Sequence, residues 1–126
     1  MRELPWEECL RLLRKATIGR LVFTKDALPA IRPVEFLVQD EDILVRTTAD
    51  GALGRLADTV VAFEADSIDE ARRSGWSVVA VGMARRIEDA EEQRALSCRL
   101  RAAGARDLFI RIPVQIITGR YLEEHG

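Results

Sequence analysis

The sequence predicts a mainly β domain with flanking helices, in which about six antiparallel strands close into a β-barrel. Three observations carry this. Segments such as "IGRLVFT", "ILVRTT" and "WSVVAVGMARRIE" alternate or run apolar with the period of a strand. The links between them are short and polar, which favours antiparallel neighbours over long parallel crossovers, and closure of many short strands removes exposed edges. Helical spacing is confined to two stretches, one opening the chain and one near residues 89–103.

The elements follow in order. Pro5, Trp6, Leu10, Leu13 and Ala16 or Thr17 recur at helical spacing, with proline suited to a first turn, so residues 1–17 are read as an opening helix. The barrel then spans 18–122. "IGRLVFT" and "LPAIRPVEFLV", separated by a polar break at Lys25 and Asp26, predict a hairpin. Asp40, Glu41 and Asp42 make the next turn before "ILVRTT". "ADGALGRLA" is expected to start a short helix capped by Asp50, with Leu53 and Leu56 on one side. "TVVAFEAD" reads as a strand, "SIDEARRSG" as a polar connection, and the stretch from Trp76 through Glu88 as one long strand. Ala90, Leu96, Leu100 and Ala103 share a helical face ahead of Gly104, a stop signal. "DLFIRIPVQIITGRYL" ends the chain as two strand-like pieces, with Pro113 forcing an edge, bulge or bend between them.

A chain of 126 residues, 48% hydrophobic and 32% charged, is of a size to bury one core, so a single domain over 1–126 is expected. A net charge of -2 offers no broad basic field for nucleic acid or an anionic membrane. No run approaches the roughly 20 apolar residues of a bilayer span, and no apolar signal core opens the chain, which makes the cytoplasm the expected address. Cys9 and Cys98 stand outside any CxxC or Cys/His pattern and read as reduced thiols. The lone His125 lies beside the last residue, so neither a His-based triad nor a metal centre is expected. GxGxxG, Walker-type and GxSxG signatures are absent.

"ATIGRLVFT…LPAIRPVEFLV", "ILVRTT" with "DGALGRL", "VAFEAD…GWSVVAVGMARRI" and "RIPVQIITGRYL" occur in the order seen in small members of the pyridoxamine 5'-phosphate oxidase-like group. The chain resembles that family from about Ala16 to Leu122. The resemblance implies a six-stranded antiparallel split β-barrel, working as a homodimer whose interface forms two equivalent FMN sites. Arg32, Pro33, Val34, Glu35 and Phe36 match the strand that borders the flavin ring, and Arg46, Thr47 and Thr48 the strand end on the phosphate side. Gly51 and Leu53 fall where the family has its phosphate turn. Trp76 and Ser77 match an element that approaches the flavin from the other subunit, and Arg120 the basic position of the closing strand. These residue types suit the chemistry, because a guanidinium fork and hydroxyls bind phosphate while apolar walls hold the ring.

The chain departs from the pattern in two places. Glu35 stands where many relatives carry Asn, and Asp50, Gly51, Ala52 and Leu53 replace a "GSKL"-like turn. Two phosphate donors are thereby lost, and Arg55, one helical turn on, is the available substitute. Plainer roles compete at several positions. Arg32 and Arg46 are open to being solvated strand positions, Trp76 to being a core or interface anchor, and Glu64 to holding an internal ion pair rather than acting as a base. Arg72, Arg73, Arg85 and Arg86 read as solvated charge.

The leading functional expectation is an FMN-dependent oxidoreductase whose substrate the sequence does not name, with the flavin supplying the redox chemistry and no catalytic side chain assigned. A deazaflavin is the alternative cofactor. A second class is a non-catalytic dimeric binding or sensor protein with no cofactor and a degraded phosphate site.

Overall fold

The period-two segments become one antiparallel sheet that curls into a half-barrel, with two helices set against it. The computed structural model describes residues 2–48, 55–100 and 107–123. In chain order the elements are β1 (Arg2–Glu3), α1 (Trp6–Leu13), β2 (Ile18–Lys25), β3 (Leu28–Gln39), β4 (Asp42–Thr48), β5 (Val60–Asp69), β6 (Ser74–Met83), β7 (Arg85–Arg86), α2 (Ala90–Arg99), β8 (Asp107–Pro113) and β9 (Ile116–Leu122). The strands lie in the order β1-β9-β6-β5-β2-β3-β4-β8-β7.

Nine strands stand where six were expected. Two of the additional strands, β1 and β7, are only two residues long, too short to carry a readable alternation. β1 occupies the start of the predicted 1–17 helix, and α1 begins only after Pro5, which lacks the N–H a helix interior requires. The stretch predicted as one strand through Glu88 divides after Met83. There Asp58 N–H donates to Ala84 O at 2.7 Å and Ala84 N–H to Thr59 O at 2.8 Å, and the chain turns away to pair with β8. The predicted connection "SIDEARRSG" is largely strand, since β5 continues to Asp69 opposite Ser74. Of the face predicted for the second helix, Leu96 and Leu100 are buried, Ala90 is exposed, and Ala103 lies outside the described residues.

The β2–β3 hairpin closes on Asp26 and Ala27, both left-handed at φ 51° and 65°. Two such residues give the turn whose twist matches the flanking strands. On the inner face Leu21, Ile43, Val45, Phe63, Val78, Ala80 and Ile112 are buried, and α1 closes over them with Cys9, Leu12 and Leu13. Phe63 meets Phe36 edge-on with ring centroids 4.6 Å apart, and at Gly19 any Cβ would sit 2.2 Å from the Phe63 ring. Burial of each such large side chain contributes about 1.5–3 kcal/mol. The curl is held where β6 swings toward β8. Gln115 N–H donates to Val81 O at 2.9 Å, and a Cβ on Gly82 would lie 2.2 Å from Pro113 O.

The outer face divides in two. Over β4 and β8, helix α2 brings Leu96 and Leu100 onto Leu44, Phe109 and Ile87. Its start is fixed by Asp89, whose carboxylate accepts the Glu92 N–H at 2.9 Å. Over β9, β6, β5, β2 and β3 the strand register sets Ile116, Val81, Ala62, Val22 and Ile31 in one row. Ile116 and Ile31 are 59% and 67% exposed.

Candidate functional site

Between the two halves of the outer face lies a hollow of about 320 Å³ lined by Ile18, Arg32, Pro33, Val34, Glu35, Arg46, Thr47 and Thr48. Strand alternation explains the cast. Glu35 and Arg46 are direct cross-strand partners of β3 and β4, so their side chains project together to the outer face. Val34 and Phe36 point inward to the core, and Thr47 is buried. The structure thus brings together the predicted Arg32, Pro33, Glu35, Arg46 and Thr48. Ile18, 54% exposed at the start of β2, completes the wall.

Arg46 is the chemical centre of the hollow. Its Nη1 lies 3.5 Å from Glu35 Oε1 and its Nε 3.4 Å from Asp107 Oδ1. The second contact meets the distance of an ion pair but not the alignment of a hydrogen bond, so Arg46 Nε is a buried donor with no hydrogen-bond acceptor among the described residues. A buried unpaired donor carries a desolvation penalty of about 1–3 kcal/mol until an acceptor arrives. Asp107 was not foreseen from the sequence. It reaches Arg46 only because β8 pairs with β4 across a long sequence separation, setting Asp107 opposite Thr48.

The other predicted residues lie elsewhere. Gly51 and Leu53, with Asp50 and Ala52, are outside the described residues. Arg55 is exposed and lines a separate hollow of about 440 Å³ with Lys25, Thr24 and Thr59. Ser77 and Arg120 face one another on β6 and β9. β6 is three strands from β3 in the sheet, on the order of 14 Å at the usual strand spacing, so within one chain they do not line the hollow with Arg46. Trp76 packs against the main core.

Glu64 holds an ion pair, accepting from Arg20 Nη1 at 2.8 Å, while Asp66 lies 3.3 Å from the same nitrogen. Burial pushes the Glu64 carboxyl above the usual range, Asp66 beside it adds to the rise, and Arg20 opposes it. Arg72 and Arg85 are exposed and paired with Asp69 and Asp58.

The profile of the pyridoxamine 5'-phosphate oxidase family matches residues 5–121. The chain belongs to that family. An uncharacterized protein of Mycobacterium tuberculosis, Rv0080, is 42% identical over 127 aligned positions, covering 93% of this chain and 82% of that protein. The fold is similar to a FAD-binding protein of Mycobacterium smegmatis, with TM-score 0.80, 33% identity, and coverage of 98% of this chain and 99% of that one. It is also similar to a FAD-binding protein of Mesorhizobium loti, with TM-score 0.81, 25% identity and coverage of 98% and 97%. The family member described here is thus a curled antiparallel half-barrel with flavin-binding structural relatives. No helix among its described residues is long and apolar enough to cross a membrane.

Proposed function

We propose that this protein is a flavin-dependent oxidoreductase that holds FMN in the hollow around Arg46, in a homodimer whose second copy covers the bare half of the outer face. The observation that carries the reading is Arg46 Nε, a buried guanidinium donor without a hydrogen-bond acceptor among the described residues, in a hollow of a family with flavin-binding structural relatives. The residues present fit a flavin. Ile18 and Pro33 offer an apolar wall, Arg46 a cation, and Thr48 a hydroxyl. A bound flavin supplies the electron transfer, and the chain supplies binding and orientation.

The homodimer is supported by the row of Ile116, Val81, Ala62, Val22 and Ile31, exposed at its two ends and half-buried between them, an apolar stripe of the kind that protein interfaces bury. A second copy on this face is also the means of bringing Ser77 and Arg120 near a hollow that they do not reach within their own chain. A second reading, a non-catalytic binding or sensor dimer, is favoured by the two carboxylates of Glu35 and Asp107 that already flank Arg46 and compete with a phosphate.

The visible spectrum of the purified protein and titrations with FMN and a deazaflavin decide between them. The expected result is a bound yellow chromophore, or saturable quenching of flavin fluorescence. Absence of both at tens of micromolar flavin, which corresponds to binding weaker than about 6–7 kcal/mol, would overturn the flavin reading. Arg46→Ala is expected to weaken FMN roughly 10- to 100-fold while changing riboflavin less, since only FMN presents a phosphate. Equal losses would show that Arg46 does not read the phosphate.

A further inference from the structure

The bare half of the outer face is patterned symmetrically about one line. In the sheet, β9, β6 and β5 lie on one side of the seam between β5 and β2, and β2, β3 and β4 lie on the other. We infer that the two-fold axis of the homodimer runs along this seam, parallel to the strands, and that Arg20 and Glu64 of each copy close a four-membered ionic cluster with those of the other. This axis rests on the homodimer reading above and adds the contacts that select it.

Strand register supplies the symmetry. Across the seam the apolar row reads Val81, Ala62, then Val22, Ile31. Rotation about the seam lays Val22 on the partner's Ala62 and Ile31 on the partner's Val81, so apolar meets apolar at each step. Two residues along the strands, the next row reads Val79, Glu64, then Arg20, Pro33. The same rotation lays Arg20 on the partner's Glu64 and Pro33 on the partner's Val79, the self-complementarity that an isologous interface requires. Neighbouring axes lack it. An axis over β2 sets Arg20 against Arg20, one over β5 sets Glu64 against Glu64, and one across the strands through the charged row does both. Like charges brought together in a desolvated interface are costly.

The chemistry of Arg20 points the same way. Its Nη1 lies 2.8 Å from Glu64 Oε1 and 3.3 Å from Asp66 Oδ2, so one nitrogen serves two carboxylates. Its Nη2 makes no hydrogen bond among the described residues, and the side chain is 51% exposed. A guanidinium fork is able to engage a further carboxylate through that second nitrogen, and the partner's Glu64 provides one. Burial and Asp66 push the Glu64 carboxyl above its ordinary range, so a second guanidinium stabilises its ionised form. Facing sheets stack about 10 Å apart, a gap that an arginine and a glutamate side chain bridge together. Packed sheets are turned by roughly 30°, which displaces the strands beside the axis least. The rotation also lays the partner's β9 over β4, bringing the partner's Arg120, in the cross-strand row of Ser77, Glu35 and Arg46, to the hollow.

The test mixes charge-reversed copies of the full chain. R20E and E64R are prepared separately, folding is checked by circular dichroism, and association is read by sedimentation velocity. Each alone is expected to dimerise at least about tenfold more weakly than the native chain, since both cross-axis pairs become like charges. Their equimolar mixture is expected to recover a heterodimer of near-native affinity. There the two substituted side chains face each other, and the native Glu64 of one copy faces the native Arg20 of the other. Mixing does not repair a pair confined to one chain, so a mixture as weak as the single variants would overturn the axis, as would single variants of native affinity. R20Q and E64Q, which introduce no new charge, give the same contrast on a smaller scale: their mixture regains one cross-axis pair and is expected to associate several-fold more tightly than either alone, and a mixture no tighter would again overturn the axis. A native chain that is monomeric removes the homodimer reading and the axis together. A native dimer that Val81→Asp separates but that mixing does not restore keeps the face and loses the axis.

Discussion

The two halves of the sheet's outer face carry similar residues and meet different fates. Over β4 and β8, Leu44 and Phe109 are covered by Leu96 and Leu100 at and just beyond the end of α2, and all four are buried. Over β9, β5 and β3, Ile116, Val60 and Ile31 stand 59–67% exposed, although isoleucine and valine are no less apolar than leucine. Apolar patterning therefore marks a surface to be covered, but not the element that covers it. Where the chain itself supplies the cover, the result is a satellite core; where it does not, the surface is left for another molecule. The hollow around Arg46 lies at the boundary between the two.

The largest effect that sharpens this comparison sets both covered regions against each other. Phe63→Ala, in the centre of the inner core, is expected to destabilise by about 3–5 kcal/mol, and Leu96→Ala, on the buried side of α2, by about 2–3 kcal/mol, read from denaturant midpoints. A Leu96 loss below about 0.5 kcal/mol would mean that the α2 cover is not a true core. The bare half is broken by Val81→Asp, a half-buried position of the apolar row between Ala62 and Ile116. If a second copy covers this face, the variant sediments as a monomer at concentrations where the native chain is a dimer. A native monomer, or a variant dimer of unchanged affinity, would argue against this face as the interface.

The smallest effect concerns pH. Burial and Asp66 raise the Glu64 carboxyl above its ordinary value. A carboxyl whose folded value is raised binds its proton more tightly when folded, so its contribution is present at low pH and is lost as pH rises through the raised value. Relative to the native chain, Glu64→Gln should therefore gain stability as pH rises from the ordinary glutamate value of about 4.3 through the raised one, in parallel unfolding curves. A difference between variant and native chain that does not change with pH would show that Arg20 cancels the rise.

Much of this was legible along the chain because it depends on neighbours in sequence. Alternation in "IGRLVFT" and "LPAIRPVEFLV" shows which residues point inward, and since Glu35 is one position from Val34 and Phe36, it must point the other way. The helix-period spacing of α1 and Leu96 with Leu100 was equally local. The ordered family motifs pointed to Arg32, Pro33, Glu35, Arg46 and Thr48, and these gather at one hollow. Asp107 was missed, because nothing near it in sequence reveals that β8 pairs with β4.

The flavin-binding family, the split-barrel class and the inward or outward side of most strand residues were determined by the sequence itself, through short-range periodicity and motif order. Strand count and partner choice were decided only in three dimensions. β1 and β7 exist because distant β9 and β8 offer them backbone hydrogen bonds, not because two residues carry a pattern. The same holds for the site. Arg46 could be named from its strand, but the unmet hydrogen bond of its buried Nε among the described residues depends on where Glu35 and Asp107 settle around it, and hydrogen-bond alignment is a property of the packed chain alone.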